Sequence, residues 1–148
     1  MIQTPGPARK WRPLSVYLAG SPEELDRVEL AASVVTSLGC HLNDRWWRTP
    51  ASHLLKQPWS QDQRTKLAIR ANVAARSSDV YWLLYPEVPH AYPLMSFIGA
   101  KRFLSDRLTM ITGPRASECV HCALSDYEAS SDEAGFDYLQ TYVRRVQQ

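Results

Sequence analysis

Val80-Tyr81-Trp82-Leu83-Leu84 is a run of five apolar or aromatic residues with no polar position to interrupt it. In a strand, alternate side chains point to opposite faces. A strand without polar positions therefore has no face left for water. Such runs mark central strands of a parallel sheet, covered on both sides. Ser78-Asp79 leads into the run and Tyr85-Pro86 ends it. A central parallel strand needs neighbours, and the neighbours need crossover helices.

Upstream, residues 14–19 (L-S-V-Y-L-A) are β-prone and end at Gly20, predicting a first strand. Ser21-Pro22-Glu23-Glu24 predicts a helix start. Ser21 would cap it, Pro22 would sit where its missing N–H costs nothing, and Glu24 would complete a capping box. Leu25, Val28, Ala32, Val35 and Leu38 follow at helical spacing, and Gly39 is a natural stop. Residues 40–43 are a short candidate second strand. Residues 44–59 are irregular and hold Trp46, Trp47 and Trp59 with Pro50 and Pro58. A loop so rich in tryptophan is either packed over something or lines a pocket. Ser60 with Gln63 again resembles a capping box, predicting a helix to about Arg76 with Leu67, Ala71 and Ala74 inward.

Downstream, residues 85–93 are turn-rich, with Pro86, Pro89 and Pro93, and a helix is predicted over 94–104. Residues 108–112 (L-T-M-I-T) predict a fourth strand stopped by Gly113-Pro114. A short helix over 119–124 and a small edge strand near Tyr127 follow. Ser130-Ser131-Asp132-Glu133 caps a last helix whose Phe136, Leu139, Val143 and Val146 form one apolar stripe. Strands thus alternate with helices. The expected fold is α/β, a three-layer α/β/α sandwich of the Rossmann-like or flavodoxin-like kind, with a parallel sheet of about five strands. Residues 14–148 read as one domain and residues 1–13 as a flexible lead-in.

Composition agrees with a single globular domain. The chain has 148 residues, 45% hydrophobic and 22% charged. At that length a domain buries roughly 68–70% of its unfolded surface and folds without disulfides or metals. No apolar stretch approaches the ~18 residues that span a bilayer. The first residues lack the apolar core of a secretory signal. With 17 basic and 15 acidic side chains the net charge is +2, too balanced to argue for nucleic acid. The cysteines are Cys40, Cys119 and Cys122. An odd number without a signal peptide predicts a reducing, cytoplasmic setting. Cys119-Val120-His121-Cys122 is a C-x-x-C, but tetrahedral zinc needs two further ligands. Ordinary helix-face thiols are the expectation, so neither a metal nor a cofactor is predicted. G-x-G-x-x-G and G-x-x-x-x-G-K-[ST] are both absent.

In open sheets of this kind, ligands bind beyond the carboxyl ends of the strands. That singles out Gly20-Ser21, residues 43–47, residues 85–93 and Gly113-Pro114. These segments carry a family resemblance. Tyr17-Leu18-Ala19-Gly20-Ser21, Asn43-Asp44-Arg45-Trp46-Trp47, Ala68-Ile69-Arg70-Ala71-Asn72-Val73 with Ser78-Asp79-Val80, Phe97-Ile98-Gly99-Ala100 and residues 108–113 together resemble the nucleoside 2-deoxyribosyltransferases and their N-glycosidase relatives. The resemblance implies a pocket for a nucleoside or nucleotide, often completed by a neighbouring subunit, and hence a homo-oligomer. It also implies a glutamate that attacks the anomeric carbon and forms a covalent deoxyribosyl-enzyme. Here Phe97 stands at the matching position, and no Asp or Glu lies between Val88 and Leu104. Phenylalanine stacks on a base but does not attack a sugar.

The remaining candidates for chemistry are Glu87, Asp44 and His90. Glu87 lies past the end of the third strand, although a surface charge there needs no function. Asp44 stands beside Trp46 and Trp47, where it could hold a ribose hydroxyl or simply a turn. His90 could exchange protons near neutral pH, or be solvated. For ligand contact the candidates are Tyr17, Gly20, Ser21, Trp46, Trp47, Tyr92 and Phe97. Gly20 would let a ligand approach the backbone, and the following helix N-terminus would favour an anion. Asp79 falls at the amino end of its strand and reads as a turn residue. Three functions remain open: hydrolysis or transfer at an N-glycosidic bond, a non-catalytic nucleotide-binding module, and a structural or interaction subunit.

Overall fold

The computed structural model describes residues 12–48, 60–88 and 107–147. Five parallel strands form one sheet in the order β2-β1-β3-β4-β5. They are β1 (Ser15–Ala19), β2 (His41–Leu42), β3 (Val80–Leu84), β4 (Leu108–Thr112) and β5 (Tyr127–Ala129). The helices are α1 (Leu25–Ser37), α2 (Gln61–Ser77) and α3 (Asp132–Val146). The V-Y-W-L-L run is the middle strand and is buried along its whole length.

Strand alternation sorts the core into two layers. Val16, Leu18, Val80, Trp82, Leu84 and Met110 face α1 and α3, meeting Val28, Ala32, Val35, Leu139 and Val143. Tyr17, Ala19, Tyr81, Leu83 and Ile111 face the other way, against Ala74 and Ala75 of α2 and against Ala116 and Cys119. The sheet is therefore sandwiched, as the periodicity requires. None of the described helices is long and apolar enough to cross a membrane.

Local starts follow local chemistry, with one correction. Ser60 and Gln63 form the capping box that opens α2, and the Ser131 hydroxyl caps α3 by accepting from the Ala134 N–H. Ser21 does not cap α1. That helix begins at Leu25, with Glu24 at its N-cap and no side-chain cap. Residues 21–24 instead form a turn closed by Glu24 N–H to Ser21 C=O at 3.0 Å, and Ser21 Oγ accepts from Glu23 N–H at 3.1 Å. The serine satisfies the nearest amide first, so Pro22 lies in the turn rather than in the helix. Two further expectations change. Residues 119–124 are not one helix, since 3-10 turns cover Ala116–Glu118 and His121–Leu124. Val146 leaves the α3 stripe for solvent. The helix predicted over 94–104 lies outside the described residues.

The amino edge of the sheet is fastened twice in the same way. Asp79, one residue before β3, accepts from the backbone N–H and hydroxyl of Ser15 on β1 at 2.9 and 3.1 Å. Asp126, one residue before β5, accepts from the N–H and hydroxyl of Thr109 on β4 at 2.7 and 3.0 Å. Each carboxylate fixes the start of the neighbouring strand, and with it the register. This gives the turn residue Asp79 a defined job, well away from the carboxyl edge.

The other edge is finished by a side chain. Strand β2 pairs only with Ser15 and Val16. The carbonyls of Leu14 and Val16 accept from the N–H groups of His41 and Asn43. The next acceptor on that side, Leu18 C=O, lies past the end of β2 and takes the indole N–H of Trp46 at 2.7 Å.

Candidate functional site

In the order β2-β1-β3-β4-β5 the chain reverses direction of travel between β1 and β3. At such a switch point the loops leave to opposite faces and open a crevice at the carboxyl edge. The residues brought there are Gly20 and Ser21 from β1, residues 85–88 from β3, and Asn43 to Trp46 from the neighbouring β2 end.

On the α1/α3 side this edge is filled by Arg27. Its Nε and Nη2 donate to the two oxygens of Asp132 at 2.6 and 3.0 Å. Its Nη1 donates to Glu24 Oε1 and to Tyr85 C=O at 3.1 and 2.6 Å, and Nη2 also reaches Thr112 C=O at 3.0 Å. A guanidinium has five N–H donors, so every one is engaged. Burial opposes the Arg27 charge, but the hydrogen bond and charge of Asp132, then those of Glu24, outweigh it and raise its pKa. Asp132 also accepts from Thr112 Oγ1 at 2.7 Å, and Thr112 Oγ1 accepts from the Trp82 indole at 2.9 Å. Gly113 is required beside this cluster. Its φ is +136°, and a Cβ there would stand 2.6 Å from Arg27 Nη2. Arg27 thus has no donor left for a ligand.

The sequence candidates separate into groups. Gly20 packs closely under α1: a Cβ there would lie 3.3 Å from Val28 Cγ2. Ser21 is buried in its turn. Tyr17 is buried mid-strand, its ring 5.3 Å from that of Tyr81. Trp46 is engaged with Leu18 C=O, and Trp47 is buried edge-on against it with 5.6 Å between ring centroids. Asp44 adopts a left-handed backbone, φ 59°, and its carboxylate is paired with Arg70 of α2. Asp and Asn tolerate that conformation better than most residues. Asn43 donates from Nδ2 to Ala74 C=O and to the hydroxyls of Ser77 and Ser78, tying the same corner to α2.

Glu87 is held by its backbone. Its N–H donates to Glu24 Oε2 at 3.0 Å and its C=O accepts from Arg115 Nη1 at 2.7 Å. Its side chain is exposed above the end of β3. Tyr85 is half-buried against the α2-side core. His90, Tyr92 and Phe97 lie outside the described residues. Among the described residues no three His, Cys, Asp or Glu side chains gather as a metal site. Cys40 is a buried free thiol, and Cys119, expected as an ordinary thiol, is disulfide-bonded.

Sequence reasoning missed Arg27, Asp132 and Asp126. The pairs that matter lie far apart along the chain, 105 residues for Arg27 and Asp132, and no local pattern marks them as partners. The chain matches no known family, no curated protein and no solved structure.

Proposed function

We propose that the chain binds a nucleoside at the β1/β3 switch point, as a divergent protein of the nucleoside 2-deoxyribosyltransferase kind that does not carry out base exchange. The observation that supports this is the sheet order, whose switch point falls between β1 and β3, the place where open parallel sheets bind ligands at their carboxyl edge. Acidic residues qualify the ligand. Glu24 is the N-cap of α1 and Asp26 lies in its first turn. Carboxylates there take up the helix dipole and repel a phosphate. With Arg27 fully engaged, an uncharged nucleoside fits this edge better than a nucleotide. A second reading is slow N-glycosidic hydrolysis with Glu87 as general base, favoured by a carboxylate fixed through its backbone above β3. Asp44, committed to Arg70, is not available for that role.

Titration calorimetry with deoxyadenosine and with its 5′-monophosphate tests the proposal. The nucleoside is expected to bind and the monophosphate to bind at least several-fold more weakly, with Tyr85→Ala abolishing both signals. Absence of nucleoside binding at millimolar concentration removes the reading. Incubation with a deoxynucleoside and a second free base should yield no exchanged product. Release of free base that Glu87→Gln abolishes would favour hydrolysis.

The reading includes a cytoplasmic homo-oligomer. Ile69 and Val73, one turn apart on α2, are 59% and 62% exposed, which supports self-association through that helix. Sedimentation showing only monomer at micromolar concentration would remove this part.

A further inference from the structure

Helix α2 is held near one end and bare along the rest. Ala74 and Ala75, close to its C-terminus, are buried against the sheet. From residue 61 to 73 the described side chains are exposed, save Leu67 and Ala71, which are half-buried. The attachment is nonetheless firm. Asn43 Nδ2 donates to Ala74 C=O and to the hydroxyls of Ser77 and Ser78, and Arg70 pairs with Asp44. Arg107 Nη1 donates to the carbonyls of Arg76 and Ser78, both at 2.8 Å. The outward side of α2 is thus fixed before any partner arrives. Helical geometry puts Asp62, Lys66, Ile69, Val73 and Arg76 on that side, opposite Leu67, Ala71 and Ala74. Their spacing alternates between four and three residues, the repeat of a helix that packs along another helix. Ile69, the middle member, and Val73 next to it are exposed large apolar side chains. The two ends carry opposite charge, Asp62 in the first turn and Arg76 in the last.

We propose that this row is the contact between two copies of the chain, their α2 helices packed antiparallel about a two-fold axis at Ile69. The inference rests on the self-association part of the reading above and gives it a geometry; nucleoside binding does not depend on it. A second copy is the occupant that the row itself selects. A two-fold contact has to be self-complementary. Turned about Ile69, the row complements itself. Ile69 meets the partner's Ile69, Val73 meets the partner's Thr65, and Lys66 lies beside the partner's Asn72. Asp62 then faces the partner's Arg76 at both ends. A parallel pair would set Asp62 against the partner's Asp62 and Arg76 against the partner's Arg76, like charge on like. It would also lay the two helix dipoles side by side in the same sense, whereas antiparallel packing opposes them. Exposed ion pairs add little affinity but fix direction and register. A contact built on one helix face stands at the small end of specific interfaces, so the dimer is a weak one, forming in the micromolar range.

The test is sedimentation equilibrium of the full chain over a micromolar concentration series, with amine-reactive cross-linking of the same samples and peptide mass mapping. A monomer–dimer equilibrium is expected, together with Lys66 joined to the partner's Lys66, a product that only two copies can give. Antiparallel packing about Ile69 separates these lysines by about 9 Å along the helix axes. Ile69→Asp should abolish both signals. Asp62→Arg and Arg76→Asp should each weaken the dimer several-fold, and the two together should restore it, because the reversed pair again meets opposite charge. A dimer without the Lys66 product, or one untouched by Ile69→Asp, overturns the α2 contact while leaving self-association standing. Failure of the double variant to recover overturns the antiparallel direction. A chain that stays monomeric, with Lys66 linked only within one molecule, overturns self-association as well and gives the face to another segment of the chain. The variants replace exposed side chains, and cross-linking of the unaltered chain decides the face even where one of them fails to fold.

Discussion

Gly135 shows how much one absent methyl group controls. A Cβ at this position in the first turn of α3 would lie 2.6 Å from Thr112 Cγ2 and 2.8 Å from Trp82 Cζ2. Alanine gains roughly 1 kcal/mol in helix propensity, but overpacking a buried contact costs about 1–3 kcal/mol. Trp82 is fully buried and has nowhere to retreat. Gly135→Ala should therefore lose up to about 2 kcal/mol in urea denaturation, and a higher midpoint would show that α3 moves away freely. Cys40 gives a pH signature. Burial raises its folded-state pKa from 9.0 to about 11. A raised acid holds its proton more tightly when folded, so its contribution is complete below pH 9 and is lost as pH rises through 11. At 1.36 kcal/mol per pKa unit this is about 2–3 kcal/mol. Between those limits the parent should lose stability more steeply than Cys40→Ala, and parallel curves would refute the assignment. At this scale the sequence was readable where the chemistry is local. The Ser60–Gln63 box lies within one turn and could be read directly. Gly135 could not, because nothing near it says which ring will press against it.

Between elements, the decisive feature is the engagement of Arg27. It joins α1 to the first residue of α3 and to the ends of β3 and β4 through five hydrogen bonds. Breaking a part-buried ion pair by removing one partner costs about 3–5 kcal/mol, since the partner charge is left behind. Arg27→Met is expected to fall in that range, and Arg27→Lys to recover little, because an ammonium lacks the planar fork. A double-mutant cycle with Asp132→Asn should show a coupling energy above about 0.5 kcal/mol, and additivity would mean the two residues act independently. Element positions were legible from periodicity and turn chemistry. Strands β3 and β4 fall on the runs that predicted them. The start of α1 was not legible. Two serines, Ser21 and Ser60, each stand three residues before an acceptor side chain, Glu24 or Gln63. Only the second forms a box, because Glu24 is drawn away to Arg27 and to the Glu87 amide. The competitor comes from the far side of the fold.

For the whole molecule, the five-stranded parallel order was within reach because an uninterrupted apolar strand implies cover on both faces. The candidate site was legible only as an edge. The rule for open sheets locates it, but which side chains remain available depends on the long-range pairs that consume Arg27, Asp44 and Trp46. The tryptophan has a consequence for how the molecule behaves in a crowd. A parallel sheet whose outer strand is two residues long leaves its next strand with an acceptor beyond the last rung. Such an acceptor is a template for an extended segment of another chain. The Trp46 indole occupies the Leu18 acceptor and acts as a stopper against fibril-like growth. Trp46→Phe keeps a ring but removes the N–H. It should leave the circular dichroism of the fresh protein unchanged while shortening the lag before turbidity and thioflavin fluorescence rise on agitation. A variant that stays as clear as the parent would show that this edge is guarded by something else.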